Sequence, residues 1–567
     1  MLDRRFFAFF LFCLPAMAEA PAALTLRTYI TANELIAFHQ DPDRGPAVVA
    51  RLQDIGISGV DLEIYRGGTI VPVETLAAVR DYFEERGFEV RAGIATVPGG
   101  DTGVRQEGGL GWFNWEAEET QRAMKRVVRD AAPLFHTFIV DDFLCTGDIS
   151  EMSKEAKGDR SWAEYRCELM TRMGRELFVE PAKAANPDIT VILKYPQWYD
   201  RFHEFGYDTA ELWREFDHIW VGTETRGQYT QRFGFVQPYQ GFINYRWLHS
   251  VTEGSVIGAW FDFGDCEPQD YVEQAYQTVL AGATDIVLFH FGGVMEHEGA
   301  ERLRDALPEL NRLMQAVQAN PITGPAAFKP ANSDPGDDRF LFDYIGMLGV
   351  PLIPHGALPE EPRVLFLTQS ARESVDDETL ASLRAAGTTL ILTEAFLGGG
   401  EPALAEATLV GGEAVPLDPP LKTYSGEGAG EPILSSVDDG VETPFFSRKD
   451  LAFVLRAFTF TQEDYDAVGE VLLPPKLLGL LEIPRTWANE IRDAFTLPYG
   501  YTVDAPTRVT VQPLGEAGTF VVNYNEREAS VTIARLDRTA EPWQVTLPPR
   551  SHAWLEDADL TMPETED

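Results

Sequence analysis

Over residues 24–318, short apolar runs alternate with longer stretches in which apolar residues recur every three or four positions. The first pattern is that of a strand covered on both faces, and the second that of an amphipathic helix. Strands are predicted at 24–30, 60–65, 89–95, 138–140, 189–195, 218–222, 255–261 and 285–289. Helical stretches follow at 33–54, 73–86, 116–132, 162–184 and 299–318. This count of strand-first units predicts an α/β fold, a (β/α)8 TIM barrel over 19–320. A doubly wound open sheet is the alternative, but no Gly-x-Gly-x-x-Gly follows any strand. Two long insertions, 97–115 and 146–160, fall after the third and fourth strands and would build up one rim of the barrel.

The period changes further on. Residues 320–337 are rich in Pro, Ala, Asn and Gly and read as a linker. Strands at 363–368 and 388–393 with a helix at 376–386 predict a Rossmann-like α/β domain of two to four strands over 338–500. Its glycine run, Gly398-Gly399-Gly400, lacks the Lys-Ser/Thr of a phosphate-binding loop. Residues 407–450 read as irregular and 463–496 as helical with Pro interruptions. Short strands at 508–512, 518–524, 530–535 and 543–547 then predict a small C-terminal antiparallel β-sandwich domain over 501–567, ending in an acidic tail.

The N-terminus has the order of a signal peptide: Arg4 and Arg5, an apolar run from Phe6 to Leu14, and the small residues of Ala16-Met17-Ala18. Residues 1–18 are therefore set apart from the fold, and the mature chain is expected in a bacterial periplasm or secreted. A net charge of −42 argues against nucleic acid and anionic membranes as partners and suits solubility in a salty medium. Three cysteines remain in the mature chain, Cys145, Cys167 and Cys266, enough for one disulfide with either partner open to Cys145. No Cys-x-x-Cys or His-Glu-x-x-His occurs, so neither a metal site nor a cofactor is expected.

Chemistry gathers at the strand ends. Asp141 and Asp142 follow the fourth strand, Glu224 the sixth, and Asp262 and Asp265 the seventh, while Glu63 lies in the second. In a barrel such positions converge on one mouth, and two carboxylates flanking a glycosidic bond are the equipment for its hydrolysis. Asp142 and Glu224 form the first catalytic pair, with Asp262 the rival partner and Asp141 positioning a substrate hydroxyl or N-acetyl group. Trp112, Trp115, Tyr195, Trp198 and Trp260 would cover apolar sugar faces. Lys194, Arg226 and His290 would hydrogen-bond substrate or hold the acids, as would Glu63 and Asp265. The expected partner is a carbohydrate, an oligo- or polysaccharide whose O-glycosidic bonds are cleaved. Two rivals remain: a barrel that binds carbohydrate without turning it over, and a polysaccharide lyase. No Gly-x-Ser-x-Gly supports a serine hydrolase.

Arg363 to Gln369 (RVLFLTQ), Thr388 to Phe396 (TTLILTEAF) and Thr519 to Ile533 (TFVVNYNEREASVTI) resemble the second and third domains of family 42-type β-galactosidases. That resemblance implies a glycoside hydrolase with a catalytic barrel, an amidotransferase-like trimerisation domain and a small β domain, assembled as a homotrimer. The chain departs from the family at the site, with Asp141-Asp142 where it has Asn-Glu and Asp262 where it has a nucleophilic Glu. An Asp pair after the fourth strand also resembles substrate-assisted hexosaminidases. A nucleophile there with an acid after the sixth resembles α-galactosidases.

Overall fold

The computed structural model describes residues 23–320, 322–398, 408–410, 431–438, 441–449, 452–456, 460–467, 472–537 and 541–560. The leader at 1–18, Gly399 and Gly400, and the end of the acidic tail lie outside them.

Eight parallel strands close into the expected barrel. They are β1 (Thr25–Ile30), β2 (Ile57–Glu63), β3 (Glu89–Ile94), β4 (Thr137–Val140), β5 (Thr190–Tyr195), β6 (His218–Gly222), β7 (Val256–Asp262) and β8 (Asp285–Phe289), each hydrogen-bonded to the next and β8 to β1. Alternate side chains point inward, and those inner positions are sorted into layers. Tyr29, Ile139, Ile192, Trp220, Trp260 and Val287 form one apolar layer inside the barrel. Two large rings fit because glycines on neighbouring strands leave room. A Cβ on Gly93 would lie 2.4 Å from the Tyr29 ring, and one on Gly258 2.5 Å from that of Trp220.

Toward the strand starts the filling is ionic. Arg27 Nε donates to Asp285 at 3.0 Å, the Arg91 guanidinium reaches the same carboxylate at 3.1 Å, and Glu89 pairs with both arginines. Asp61, wholly buried beside them, has its carboxyl pushed up to about 6 by burial, against the pull of Arg27 and Arg91. The floor is therefore a closed ion layer under an aromatic one, and open chemistry is left only at the carboxyl ends.

The second domain departs from expectation in size. Its sheet has eight strands, of which Ile353–His355, Ala326–Phe328, Val364–Leu367, Thr389–Thr393 and Ala452–Leu455 run parallel. Val441–Lys449, Glu431–Asp438 and Thr408–Val410 extend it as antiparallel neighbours. The last three fall in the stretch read as irregular, where Gly, Pro and acidic residues mask the alternation. Ala326–Phe328 falls in the expected linker, because three residues between prolines are too few to carry a period. The third domain is a sandwich of two three-stranded sheets, six strands rather than the four expected.

Both later domains are fixed to the barrel by buried polar contacts. Asp343 accepts from the Tyr199 hydroxyl and the Gln240 amide, each at 3.0 Å, and burial holds its carboxyl well above the usual range. Lys329 pairs with Asp200 at 3.0 Å. Arg550 of the third domain pairs with Asp270 and Glu273 on the helix Pro268–Leu280.

The layered barrel interior predicts that Gly93→Ala, which drives a methyl into the Tyr29 ring, lowers unfolding stability by about 1–3 kcal/mol. A denaturant midpoint equal to wild type would mean that Tyr29 moves aside at no cost.

Candidate active site

A cavity of about 110 Å³ lies at the carboxyl end of the barrel, with Trp260, Phe143 and Phe289 among its walls. Four carboxylates line it, Asp141, Asp142, Glu224 and Asp262, and so do three cations, Arg66, Lys194 and Arg226. Strand geometry explains the convergence. Asp141 and Asp142 follow β4, Lys194 is the penultimate residue of β5, Glu224 comes two residues after β6, and Asp262 ends β7.

Lys194 is the hub. Its ammonium donates to Asp142 Oδ2 at 2.7 Å and Glu224 Oε1 at 2.6 Å, and lies 3.5 Å from Asp141 Oδ1. It also sits 4.5 Å from the centre of the Trp260 ring. Burial pushes the Lys194 ammonium toward neutrality, but the three acids more than reverse this and its pKa is raised. Two oxygens held by one ammonium at 2.7 and 2.6 Å cannot be more than about 5.3 Å apart.

The remaining acids are tied differently. Arg226, in the left-handed region with φ 54°, grips Asp262 with two hydrogen bonds of 2.9 and 2.6 Å. Arg66, on the short hairpin after β2, bonds Glu63 at 2.9 Å and Asp141 Oδ2 at 3.3 Å. Asp141 Oδ1 accepts the backbone N–H of Asp142 at 2.8 Å, so Asp141 fixes the loop that aims its neighbour. Burial raises Asp141 to about 6, helped by the charge of Asp142 and opposed by Lys194 and Arg66.

Glu224 stands apart. It is 3% exposed, and its Oε2 has no hydrogen-bond partner within the protein. Burial pushes its carboxyl up to about 7, against Lys194 and with the help of Asp142. A buried carboxyl with an uncommitted oxygen and a proton near neutrality is equipped to deliver that proton.

A second cavity of about 250 Å³ adjoins the first, sharing Asp142, Phe143 and Arg226. Trp112 and Trp198 lie in its wall, stacked with centroids 6.0 Å apart and planes 9° from parallel.

The structure thus gathers Asp141, Asp142, Lys194, Glu224, Arg226, Trp260 and Asp262 around one space, and Trp112 and Trp198 around the next. The other sequence candidates stand outside both walls. Glu63 is covered by Arg66 and by the Ala32 N–H at 2.7 Å, and burial raises it to about 7. The indole of Trp115 donates to the Cys145 carbonyl at 2.8 Å, and Tyr195 donates to that of Asp208 at 3.0 Å. Asp265 accepts from Thr230 at 2.9 Å, and His290 is bonded to Glu34 at 2.8 Å. These residues are near the mouth in sequence, but structural partners claim their polar ends.

Sequence reasoning passed over Phe143 and Phe289 as walls, and saw Arg66 only as a partner for Glu63. Arg66 sits three residues after a buried strand-end acid, a spacing that could have marked it. The three cysteines are unbridged, which corrects the expectation of one disulfide. The Cys167 thiol donates to the His203 carbonyl at 3.7 Å and that of Cys266 to the Asp262 carbonyl at 3.5 Å. Among the described residues no group of three or more His, Cys, Asp or Glu could hold a metal ion.

With this geometry in place, the comparisons are specific. The chain belongs to the family described as probable glycosyl hydrolase, catalytic domain, whose model matches residues 16–318. It is 25% identical over 388 residues to the uncharacterized protein SSO3021 of Saccharolobus solfataricus, a match covering 61% of this chain and 62% of that one. The match therefore spans less than two thirds of that relative. Alpha-L-fucosidase isoenzyme 2 from Paenibacillus thiaminolyticus shares the fold at TM-score 0.60 and 12% identity, over 94% of this chain and 98% of that one. Gan42B, a GH42 beta-galactosidase, does so at TM-score 0.57 and 11% identity over the same shares.

A raised carboxyl favours folding while protonated, fully so below its ordinary value, and that contribution is lost as pH rises through the folded pKa. For Glu224 the window runs from about 4.5 to about 7. Glu224→Gln should therefore flatten the fall in stability between pH 5 and 8, by on the order of 1–3 kcal/mol. Melting curves of both proteins across that range test this, and parallel profiles would place the Glu224 proton elsewhere.

Proposed function

We propose that this protein is an exported, retaining glycoside hydrolase that removes one terminal sugar residue, with Asp142 as nucleophile and Glu224 as acid/base. The observation that carries the reading is the sharing of Lys194 by Asp142 and Glu224 inside a closed-sided cavity. The bound of about 5.3 Å on their separation matches the spacing of a nucleophile and its acid/base. It leaves no room for the water that an inverting pair, about 6.5–9.5 Å apart, must hold between them.

The division of labour follows from the electrostatics. Lys194 stabilises the ionised form of Asp142, which attacks the anomeric carbon. Glu224, protonated below about 7, gives its proton to the glycosidic oxygen as the bond breaks. The leaving alcohol departs and a glycosyl–Asp142 ester remains. Glu224, now ionised, takes a proton from water, whose oxygen attacks the same carbon and frees Asp142. Asp262, ionised in the grip of Arg226, offers an acceptor to a sugar hydroxyl. Asp141 and Arg66 position the loop that carries Asp142. Trp260 presents an aromatic face within the cavity, as a sugar C–H face requires.

A cavity of about 110 Å³ suits a single ring, which favours the end of a glycan or glycoside over the interior of a polysaccharide. Export rests on the leader-like N-terminus, and the homotrimer on the resemblance of the second domain to a trimerisation domain.

On a panel of alkyl and aryl glycosides read by product mass, Asp142→Asn should lose about 10²-fold or more on every substrate cleaved. Glu224→Gln should lose as much on alkyl glycosides but far less on aryl ones, whose leaving groups need little protonation. In wild type kcat/KM should fall above pH 7, and Glu224→Gln should lack that limb. Binding of saccharide without turnover by wild type would instead make this a binding protein, and an unsaturated product absorbing in the ultraviolet a lyase. Native mass spectrometry of protein expressed from the full-length gene should give three copies of a chain lacking its first 18 residues. A monomer, or a chain retaining the leader, would remove that half of the reading.

A further inference from the structure

The second cavity is not built by the barrel alone. Leu472 and Leu473, more than two hundred residues beyond Phe233, close one side of it opposite the Trp112–Trp198 stack. The segment is docked firmly. The Phe235 N–H donates to the Pro474 carbonyl at 3.0 Å, and Gly234 packs so closely that a Cβ there would lie 2.6 Å from that of Leu473. Lys476, just beyond, pairs with Asp464 at 2.8 Å. The barrel loop and the later segment thus form one wall.

We propose that this second cavity is the leaving-group subsite and that it takes an apolar aglycone, an alkyl or aryl group, rather than a second sugar. The inference rests on the hydrolase reading above, which puts the sugar beside Asp142 and the departing oxygen at the boundary of the two cavities. A sugar in the second cavity would need partners for several hydroxyls, because each hydroxyl stripped of water without a hydrogen bond is costly. The wall offers few. Asp142 is engaged by Lys194, and Arg226 has two of its donors on Asp262 and its guanidinium 4.2 Å from the Phe233 ring centre. Gln197 is the one uncharged polar side chain lining it. Nor do the tryptophans offer an open platform. Each is 5% exposed, and the two stack on one another with Phe205 set edge-on to both. What remains is aliphatic and aromatic: Leu110, Leu472, Leu473 and the edges of Trp112, Trp198 and Phe233.

The test uses methyl, hexyl and benzyl glycosides of glucose, galactose, mannose, fucose and xylose, with the matching disaccharides. These alcohols are of similar acidity, so differences among them report the subsite and not the chemistry. In wild type, kcat/KM for the hexyl or benzyl glycoside should exceed that for the methyl glycoside by about 10-fold or more, as burial of several methylenes requires. That ratio should fall toward one in both Leu473→Ala and Leu110→Ser. Using the ratio cancels any loss of folded protein, and Leu110 lies in a partly exposed barrel loop should the Leu473 variant fail to fold. A wild-type ratio near one, a ratio unchanged in both variants, or a disaccharide cleaved better than the hexyl glycoside would overturn the proposal. Failure to cleave any glycoside would count against the hydrolase reading instead. The subsite would then be judged by calorimetric titration of Glu224→Gln protein with the same ligands. Hexyl binding about 10-fold tighter than methyl, lost with Leu473→Ala, would support it, and equal binding would overturn it.

Discussion

The site depends on one buried ammonium. Lys194 lies within 3.5 Å of three carboxylates and over the ring of Trp260, and it is 2% exposed. A cation taken that far from water costs several kcal/mol, and its partners cost as much again, so the cluster is not there to stabilise the fold. It organises instead. One charge fixes the relative positions of residues from three different strands, and it does so only because the aromatic layer beneath is rigid. Trp220 stands beside Lys194 in the register of β5 and β6, and Trp260 forms the floor. The glycines that admit those rings are therefore part of what places the ammonium.

The other two cations make the cluster unequal. Arg226 takes both oxygens of Asp262, and Arg66 shares itself between Glu63 and Asp141. After these pairings the acids at the cavity differ in how their charge is met. Asp262 has a full guanidinium, Asp142 has the ammonium, and Glu224 has one oxygen on the ammonium and one with no partner. Carboxylates pushed apart in this way are suited to different steps of one reaction. An acid in a dry pocket keeps its proton near neutrality, while a neighbour on a cation gives its proton up.

Much of this was legible in the sequence, and what was not had physical reasons. The barrel was visible because strands covered on both faces are apolar throughout, and an acid just past such a strand stands out. Asp141, Asp142, Glu224 and Asp262 were found by that signal alone. Aromatic residues carried a weaker one. Trp115 and Tyr195 sit in mouth segments like Trp112 and Trp198, but an indole N–H or a phenol must find an acceptor when buried, and theirs point into the frame. Which way a ring turns is decided by partners such as Cys145 and Asp208, and no local pattern records it. The three-residue strand Ala326–Phe328 was lost for the opposite reason, being too short to show a period.

Leu472 and Leu473 left no trace at all, and they show where reading by segments must fail. Their sequence says only that they are apolar and precede Pro474 and Pro475. Their position comes from the docking of the second domain, through Asp343 under Tyr199 and Gln240 and through Lys329 on Asp200. Those contacts lie far from the reacting groups, yet they set how closely the segment presses on the loop after β6. That loop also carries Glu224, Arg226 and Phe233. The acid, the clamp on Asp262 and the wall of the second cavity thus share a loop of fewer than twenty residues, pinned from outside by another domain. Binding in the second cavity and proton delivery in the first are mechanically joined there, because a shift of Pro474 against Phe235 moves the backbone that aims Glu224.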